Sequence, residues 1–136
     1  MALDHLAVYL SNSCNLACSY CYVAVNQGPA ARLDLETIRR AVDEFAAKVP
    51  PERRKVTFLG GEPLLDWPLF VKAARYARQT LGPGSVLQTF TNGTLLTPEK
   101  VAVLNELGVH CTVSLDGSKT ENDLHRVYYK TTERSV

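Results

Sequence analysis

Three of the four cysteines lie close together in one short segment of the sequence. Cys14, Cys18 and Cys21 have the spacing C-x3-C-x2-C. Three thiolates in one loop can hold three corners of a cubic iron–sulfur cluster, and the remaining iron is then open to an exogenous donor. A cluster with four protein ligands would be closed and suited to electron transfer. The spacing therefore indicates a cluster that takes part in chemistry.

A zinc site is the main alternative interpretation of these cysteines. Structural zinc takes four ligands, usually as two pairs, and the fourth would have to come from Cys111 or His5. Cys111 lies in an apolar segment typical of a strand. A ferredoxin-type site is disfavoured because the usual run of four cysteines is missing. The sequence favours the three-ligand cluster and leaves a zinc-stabilised interaction module as an alternative.

Three further segments combine small residues with groups that can bind a ligand. In Gly60-Gly61-Glu62-Pro63, the glycines would let the backbone approach a ligand closely, and the carboxylate can accept hydrogen bonds from an ammonium group. Asn92-Gly93 is typical of a turn with positive φ. Ser114 and Asp116 are two residues apart, so on a strand they would point the same way. Each segment alone could be a simple turn.

The elements that must position these residues alternate along the chain. Apolar runs predict strands at residues 6–10, 56–59, 86–91 and 109–115, and Asp34, Asp66 and Thr97 are predicted N-caps of three helices between them. No helix is predicted after the fourth strand. The alternation predicts an α/β fold with parallel strands. Each polar segment follows a strand, which places them together at the carboxyl edge of the sheet, where ligands bind in such folds.

Composition limits the class of protein. The 136 residues carry 15 basic and 14 acidic side chains, a net charge of +1 that does not indicate a nucleic-acid partner or an anionic membrane. No apolar run reaches the roughly 18 residues that span a bilayer, and the N-terminus does not resemble a signal peptide. We therefore expect a cytoplasmic protein whose thiols are reduced.

With Tyr20 just before the last cysteine, the motif Cys14-x3-Cys18-x2-Cys21 resembles the signature of the radical S-adenosylmethionine (SAM) superfamily. Residues 6–126 resemble the N-terminal half of that family. The resemblance implies part of a (β/α)6 TIM-like partial barrel, an oxygen-sensitive 4Fe–4S cluster and SAM bound to the open iron. It also implies reductive cleavage of SAM to a 5′-deoxyadenosyl radical that takes a hydrogen atom from a substrate. No residue is assigned as catalytic.

The same resemblance implies a set of SAM contacts. Residues 60–63 match the family motif that binds the methionyl amine, and Ser114 matches a serine that meets the methionyl carboxylate. Tyr20 would lie near the adenine, whereas Tyr22 is expected to be an ordinary packing residue. The predicted cofactor-binding residues are Tyr20, Gly60, Gly61, Glu62, Pro63, Asn92, Ser114 and Asp116, and the predicted metal ligands are Cys14, Cys18 and Cys21.

The motifs are most similar to the peptide-modifying SPASM and anaerobic sulfatase-maturase branch. This implies a peptide or protein substrate and an electron donor such as flavodoxin or ferredoxin, although the substrate itself is not identified. After Asp116-Gly117 the chain has Ser118 and Asn122 where that branch has proline and histidine, but it keeps Asp123 and Arg126.

The number of predicted elements bears on the extent of the domain. Four strands and three helices, against six of each in the family, lead us to expect a radical SAM core domain, residues 1–136, that is truncated on its C-terminal side. We expect the polar residues 131–136 to mark an interruption of the domain, and the fourth strand to lie at an edge of the sheet. A non-catalytic, cluster-binding fragment is therefore a second alternative.

Overall fold

A computed structural model of the protein describes residues 4–23 and 31–130. Four strands alternate with helices along the chain. The strands are β1 (His5–Tyr9), β2 (Lys55–Leu59), β3 (Val86–Thr91) and β4 (Val109–Val113). The helices are α1 (Leu35–Lys48), α2 (Trp67–Leu81), α3 (Pro98–Glu106) and α4 (Lys119–His125), and two short 3-10 helices lie at Pro51–Arg53 and Pro63–Asp66.

The strands form one parallel sheet, as the sequence predicts, and their order in it is β1-β2-β3-β4. Val8 lies opposite Phe58, and Thr89 lies opposite Cys111. Among the described residues, β4 pairs with β3 alone, which confirms its predicted place at an edge. Because all strands run the same way, the segments after β1, β2, β3 and β4 meet at one edge. This edge carries all of the predicted site residues.

One face of the sheet packs against helices, while much of the other face is open. The buried core joins strand residues to helix residues, among them Val8, Val56, Phe58, Leu87, Ile38, Val42, Phe45, Phe70, Ala73 and Leu104. Side chains alternate along a strand, so the neighbours of these residues point the other way. Tyr9, Val86 and Phe90 on that second face are 46%, 41% and 43% exposed. The open face leads at its carboxyl end to the predicted site.

The predicted helix starts are confirmed by side-chain caps. The Asp34 side chain accepts a hydrogen bond from the Thr37 amide. In the same way, Asp66 accepts one from the Leu69 amide, and Thr97 accepts one from the Lys100 amide. These bonds satisfy amides that have no partner inside the helix. Gly108, which follows α3, has a φ of 62°, a left-handed conformation that suits glycine.

Helix α4 corrects the expectation that no helix follows the fourth strand. Ser118 accepts a hydrogen bond from the Glu121 amide, and the Glu121 carboxylate accepts one from the Ser118 amide. This reciprocal pair is a capping box, and its Ser-x-x-Glu pattern is visible in the sequence. No helix among the described residues is long and apolar enough to cross a membrane. Residues 131–136, the predicted polar tail, lie outside the described residues.

Candidate functional site

The cysteine loop begins with a leading segment, residues 11–14, that lies against the glycines after β2. The Gly61 amide donates to the Ser11 carbonyl at 2.9 Å, and the Glu62 amide donates to the Ser13 carbonyl at 2.9 Å. A Cβ on Gly60 would come within 2.5 Å of the Ser11 oxygen, and one on Gly61 within 2.2 Å of the Ser13 oxygen. We predicted that these glycines would let the backbone approach a ligand closely. In the structure they lie close to the protein's own backbone at Ser11 and Ser13.

Glu62 joins the end of β2 to the end of β3. Its carboxylate is 2% exposed and accepts three hydrogen bonds: from the Leu64 amide at 3.0 Å, the Thr91 hydroxyl at 2.7 Å and the Asn92 amide at 2.8 Å. A carboxylate has about four acceptor positions, so capacity remains for one more donor. The carboxylate is therefore fixed in place by the fold, and it still lines the cavity described below.

The turn after β3 reaches across to the cysteine loop. The Asn92 side chain accepts from the Thr94 amide and donates to the Asn15 side-chain oxygen at 2.9 Å. Its amide nitrogen also lies 3.8 Å from the Cys14 sulfur. Gly93 has a φ of 82° and leaves no room for a Cβ, which would lie 2.8 Å from Val113. Asn92-Gly93 is therefore a turn, as the sequence predicts, and the same turn faces the cysteines.

The trailing segment of the cysteine loop, residues 15–22, pairs with residues 125–129 just after α4. The Ala17 amide donates to the Val127 carbonyl at 2.8 Å, and the Ser19 amide donates to the His125 carbonyl at 3.1 Å. Leu16 forms an antiparallel bridge with Tyr128. The loop is thus held between β2 on one side and the segment after α4 on the other.

A side-chain cluster reinforces this second attachment. The Tyr20 hydroxyl donates to Asp116, and Arg126 contacts the same carboxylate through two nitrogens, at 3.2 and 3.1 Å. The hydrogen bonds from Tyr20 and Arg126 hold the pKa of Asp116 below its usual value. The Arg126 guanidinium lies 5.5 Å from the centre of the Tyr20 ring. We call Tyr20, Asp116 and Arg126 the latch.

An open cavity of about 750 Å³, including solvent at its mouth, lies between the two attachments. It brings together most of the predicted site residues: Cys14, Cys18, Cys21, Tyr20, Gly60, Gly61, Glu62, Asn92 and Ser114. Tyr22 also lines it and is 85% exposed, so the prediction that Tyr22 is a packing residue is wrong.

Two other predicted SAM contacts are placed differently. Pro63 is buried at the first position of the 3-10 helix after Glu62, and Asp116 belongs to the latch. Neither is among the residues that line the cavity. Direct contact of either residue with SAM stays a prediction.

The three cavity cysteines are half-buried, and Cys14 and Cys18 face N–H donors. The Leu16 amide lies 3.3 Å from the Cys14 sulfur, and an Arg126 nitrogen lies 3.9 Å from the Cys18 sulfur. Burial raises the pKa of Cys14 to about 11 and also raises that of Cys18, where the Arg126 charge acts in the opposite direction. The free thiols of Cys14 and Cys18 are therefore protonated near neutral pH, and binding a metal there must displace protons. Three thiols in one cavity, two of them beside N–H donors, fit the thiolate ligands of an iron–sulfur cluster.

The residues considered as a fourth zinc ligand lie elsewhere. Cys111 is an exposed residue of β4, and the His5 ring contacts the Thr57 hydroxyl at 2.7 Å, at the start of β1. Neither lines the cavity. In the described part of the chain, no three side chains of His, Cys, Asp or Glu converge on a point suited to one metal ion.

Sequence reasoning missed several residues that build the site. Thr91 and Asn15 complete the network around Glu62 and Asn92, and Arg126 lines the cavity beside Cys18. The sequence shows that Arg126 is kept after Asp116-Gly117 but does not assign it a role. Its placement depends on α4, which the Ser118-x-x-Glu121 pattern could have revealed.

Comparisons with known proteins agree with this geometry. The Radical SAM superfamily profile matches residues 8–136. A "Serine-type anaerobic sulfatase-maturating enzyme" of Klebsiella aerogenes is 34% identical over 121 residues, which are 84% of this chain and 29% of that protein. An "AdoMet-dependent heme synthase" of Methanosarcina barkeri is 36% identical over 118 residues, covering 85% of this chain and 32% of that protein. The chain thus spans about a third of the length of these relatives.

A solved structure, "Native anSMEcpe with bound AdoMet and Cp18Cys peptide", resembles the chain with a TM-score of 0.77 and 25% identity. The match covers 91% of this chain and 34% of the other. It confirms the predicted fold class, four parallel strands arranged as in a radical SAM barrel. Four observations agree: the cysteine motif, the cavity that gathers the predicted site residues, the fold, and the family match over nearly the whole sequence. The chain therefore belongs to the radical SAM superfamily of enzymes.

Proposed function

We propose that Cys14, Cys18 and Cys21 hold a 4Fe–4S cluster and that the adjoining cavity binds SAM. The observation that carries this proposal is the cavity itself, which gathers the three thiols with Glu62 and Ser114. When bound, the cluster and SAM would supply reductive cleavage of SAM to a 5′-deoxyadenosyl radical, which abstracts a hydrogen atom from the substrate. The protein's own residues bind, orient and shield these groups.

Glu62 and Ser114 are suited to the two ends of the methionyl group. The Glu62 carboxylate is fixed by three protein donors and can accept a further hydrogen bond from an ammonium group. The Ser114 hydroxyl can donate to a carboxylate. Tyr20 lines the same cavity, where its backbone and ring are available to an adenine.

We further propose that the substrate is a peptide or protein. The support is the similarity to relatives named sulfatase-maturating enzymes and to a structure that holds a peptide with AdoMet. The open face of the sheet, with Tyr9 and Phe90 exposed, leaves space for a substrate beside the cavity. An electron donor such as flavodoxin or ferredoxin would reduce the cluster, and the reduced thiols suit a cytoplasmic protein.

The first test is cluster formation in the purified chain after anaerobic reconstitution with iron and sulfide. We expect about four iron and four sulfide per chain and an electron paramagnetic resonance (EPR) signal after dithionite reduction, since each cluster holds that number. Replacing Cys14, Cys18 and Cys21 by alanine should abolish both, whereas Cys111→Ala, a cysteine outside the cavity, should leave them unchanged. Stoichiometric zinc without sulfide in the unaltered protein would support the interaction module instead.

The second test is SAM cleavage, measured as 5′-deoxyadenosine with dithionite or a flavodoxin system as reductant. The Cp18Cys peptide and GTP serve as probes, because the similar proteins include peptide-bound anSMEcpe and a "GTP 3',8-cyclase" of Parasynechococcus marenigrum. We expect the peptide, and not GTP, to raise the yield. A cluster-loaded chain that forms no 5′-deoxyadenosine would indicate a non-catalytic, cluster-binding protein.

A further inference from the structure

Arg126 contacts both the cysteine loop and the end of β4. One terminal nitrogen of its guanidinium lies 3.9 Å from the Cys18 sulfur. The other terminal nitrogen and Nε contact the two oxygens of Asp116, at 3.2 and 3.1 Å. The side chain is 12% exposed, so the charge lies largely out of water. One hydrogen bond and one close ion-pair contact thus hold the guanidinium against Asp116.

The backbone around Arg126 is held against the same loop. The residues on either side of it, His125 and Val127, accept hydrogen bonds from the Ser19 and Ala17 amides, at 3.1 and 2.8 Å. These bonds flank Cys18 in the sequence. The distance between the guanidinium and the Cys18 sulfur is therefore set by backbone pairing as well as by the ion pair.

Arg126 carries a permanent positive charge. A guanidinium is not deprotonated in proteins, and the Asp116 carboxylate lies against this one. Two donors near the Cys14 sulfur, the Leu16 amide and the Asn92 side chain, are by contrast neutral. Cys18 thus has a charged donor and Cys14 has neutral ones.

We propose that Arg126 is a positioning residue that donates a hydrogen bond to the Cys18 thiolate and so raises the reduction potential of the cluster. This rests on the proposed function, in which Cys18 is a cluster ligand. Hydrogen bonds to the ligand sulfurs and nearby charge set the potentials of iron–sulfur clusters. Reduction adds negative charge to the cluster, and a fixed cation beside one of its sulfurs stabilises that charge.

The test is the midpoint potential of the reconstituted chain, followed by EPR during a redox titration. Arg126→Gln removes the cation, and we expect a lower, more negative midpoint potential. Arg126→Lys keeps the charge but loses the two-sided geometry, so it should shift the potential in the same direction by less. Arg53→Gln, an exposed arginine paired with Asp4 at the opposite edge of the sheet, is the matched control.

The outcomes separate this inference from the proposed function. If the unaltered chain forms no cluster, the proposed function fails and the inference fails with it. If the cluster forms and the potentials of Arg126→Gln and Arg126→Lys equal that of the unaltered chain, only the inference is overturned, even where both variants melt at a lower temperature. Should Arg126→Gln retain too little iron for titration, the Arg126→Lys potential decides the matter.

Discussion

The leading and trailing segments of the cysteine loop are held by different means. Residues 11–14 are fixed by backbone contacts with Gly60 and Gly61, where even one extra methyl group would not fit. Residues 15–22 are fixed by pairing with residues 125–129 and by the latch, whose Tyr20 is 52% exposed. One attachment is buried and rigid, and the other depends on a short helix and polar side chains. We expect the first to determine whether the site forms and the second to adjust it.

Gly61→Ala should have the largest effect, because its Cβ would lie 2.2 Å from the Ser13 oxygen and 3.0 Å from the Cys14 Cβ. Overpacking of this kind costs about 3 kcal/mol at the upper end of its usual range. The leading segment must move away, so we expect the free energy of unfolding, measured by urea denaturation, to fall by that amount. We also expect the variant to bind little iron after reconstitution. Gly84→Ala is the control, since a Cβ there meets nothing within 4 Å. Normal iron content in Gly61→Ala would show that the leading segment is not rigid.

Glu62→Gln should have the next largest effect. The substituted amide can still accept hydrogen bonds through its oxygen, but its NH2 group cannot accept the one from the Asn92 amide. A buried donor left unpaired costs about 1–3 kcal/mol in the free energy of unfolding, measured by urea denaturation. We also expect the cluster to form and SAM affinity, measured by equilibrium binding, to fall by about 1.5–3 kcal/mol.

The control for Glu62→Gln is Glu44→Gln, an exposed residue of α1. Unchanged stability in Glu62→Gln would contradict the network at the ends of β2 and β3. Unchanged SAM affinity with reduced stability would restrict Glu62 to its structural role.

Ser118→Ala should have the smallest effect and act on the trailing segment alone. It removes the side-chain cap of α4, which costs about 1 kcal/mol. The fraying of α4 loosens residues 125–129, so we expect slightly weaker iron retention on dilution with chelator, while a cluster still forms. Thr120→Ala in the same helix is the control. Complete loss of the cluster in Ser118→Ala would reverse the proposed order of the two attachments.

Local sequence signals predicted most of the fold. Asp34, Asp66 and Thr97 cap the helices as predicted, and β3 begins and ends where its apolar run does. These features depend on residues close in sequence, where hydrogen bonds to nearby amides and side-chain periodicity decide the outcome. The predicted strand at residues 109–115 ends at Val113, because the chain turns toward α4.

The sequence by itself determined the cysteine spacing, the parallel direction of the strands and the edge at which the polar segments meet. Only the tertiary structure decided that Gly60 and Gly61 receive the Ser11 and Ser13 backbone, that Glu62 joins two strand ends, and that Arg126 lies beside Cys18. The physical reason is distance along the chain: Arg126 and Cys18 are separated by 108 residues, and their contact depends on how four strands and a short helix pack together.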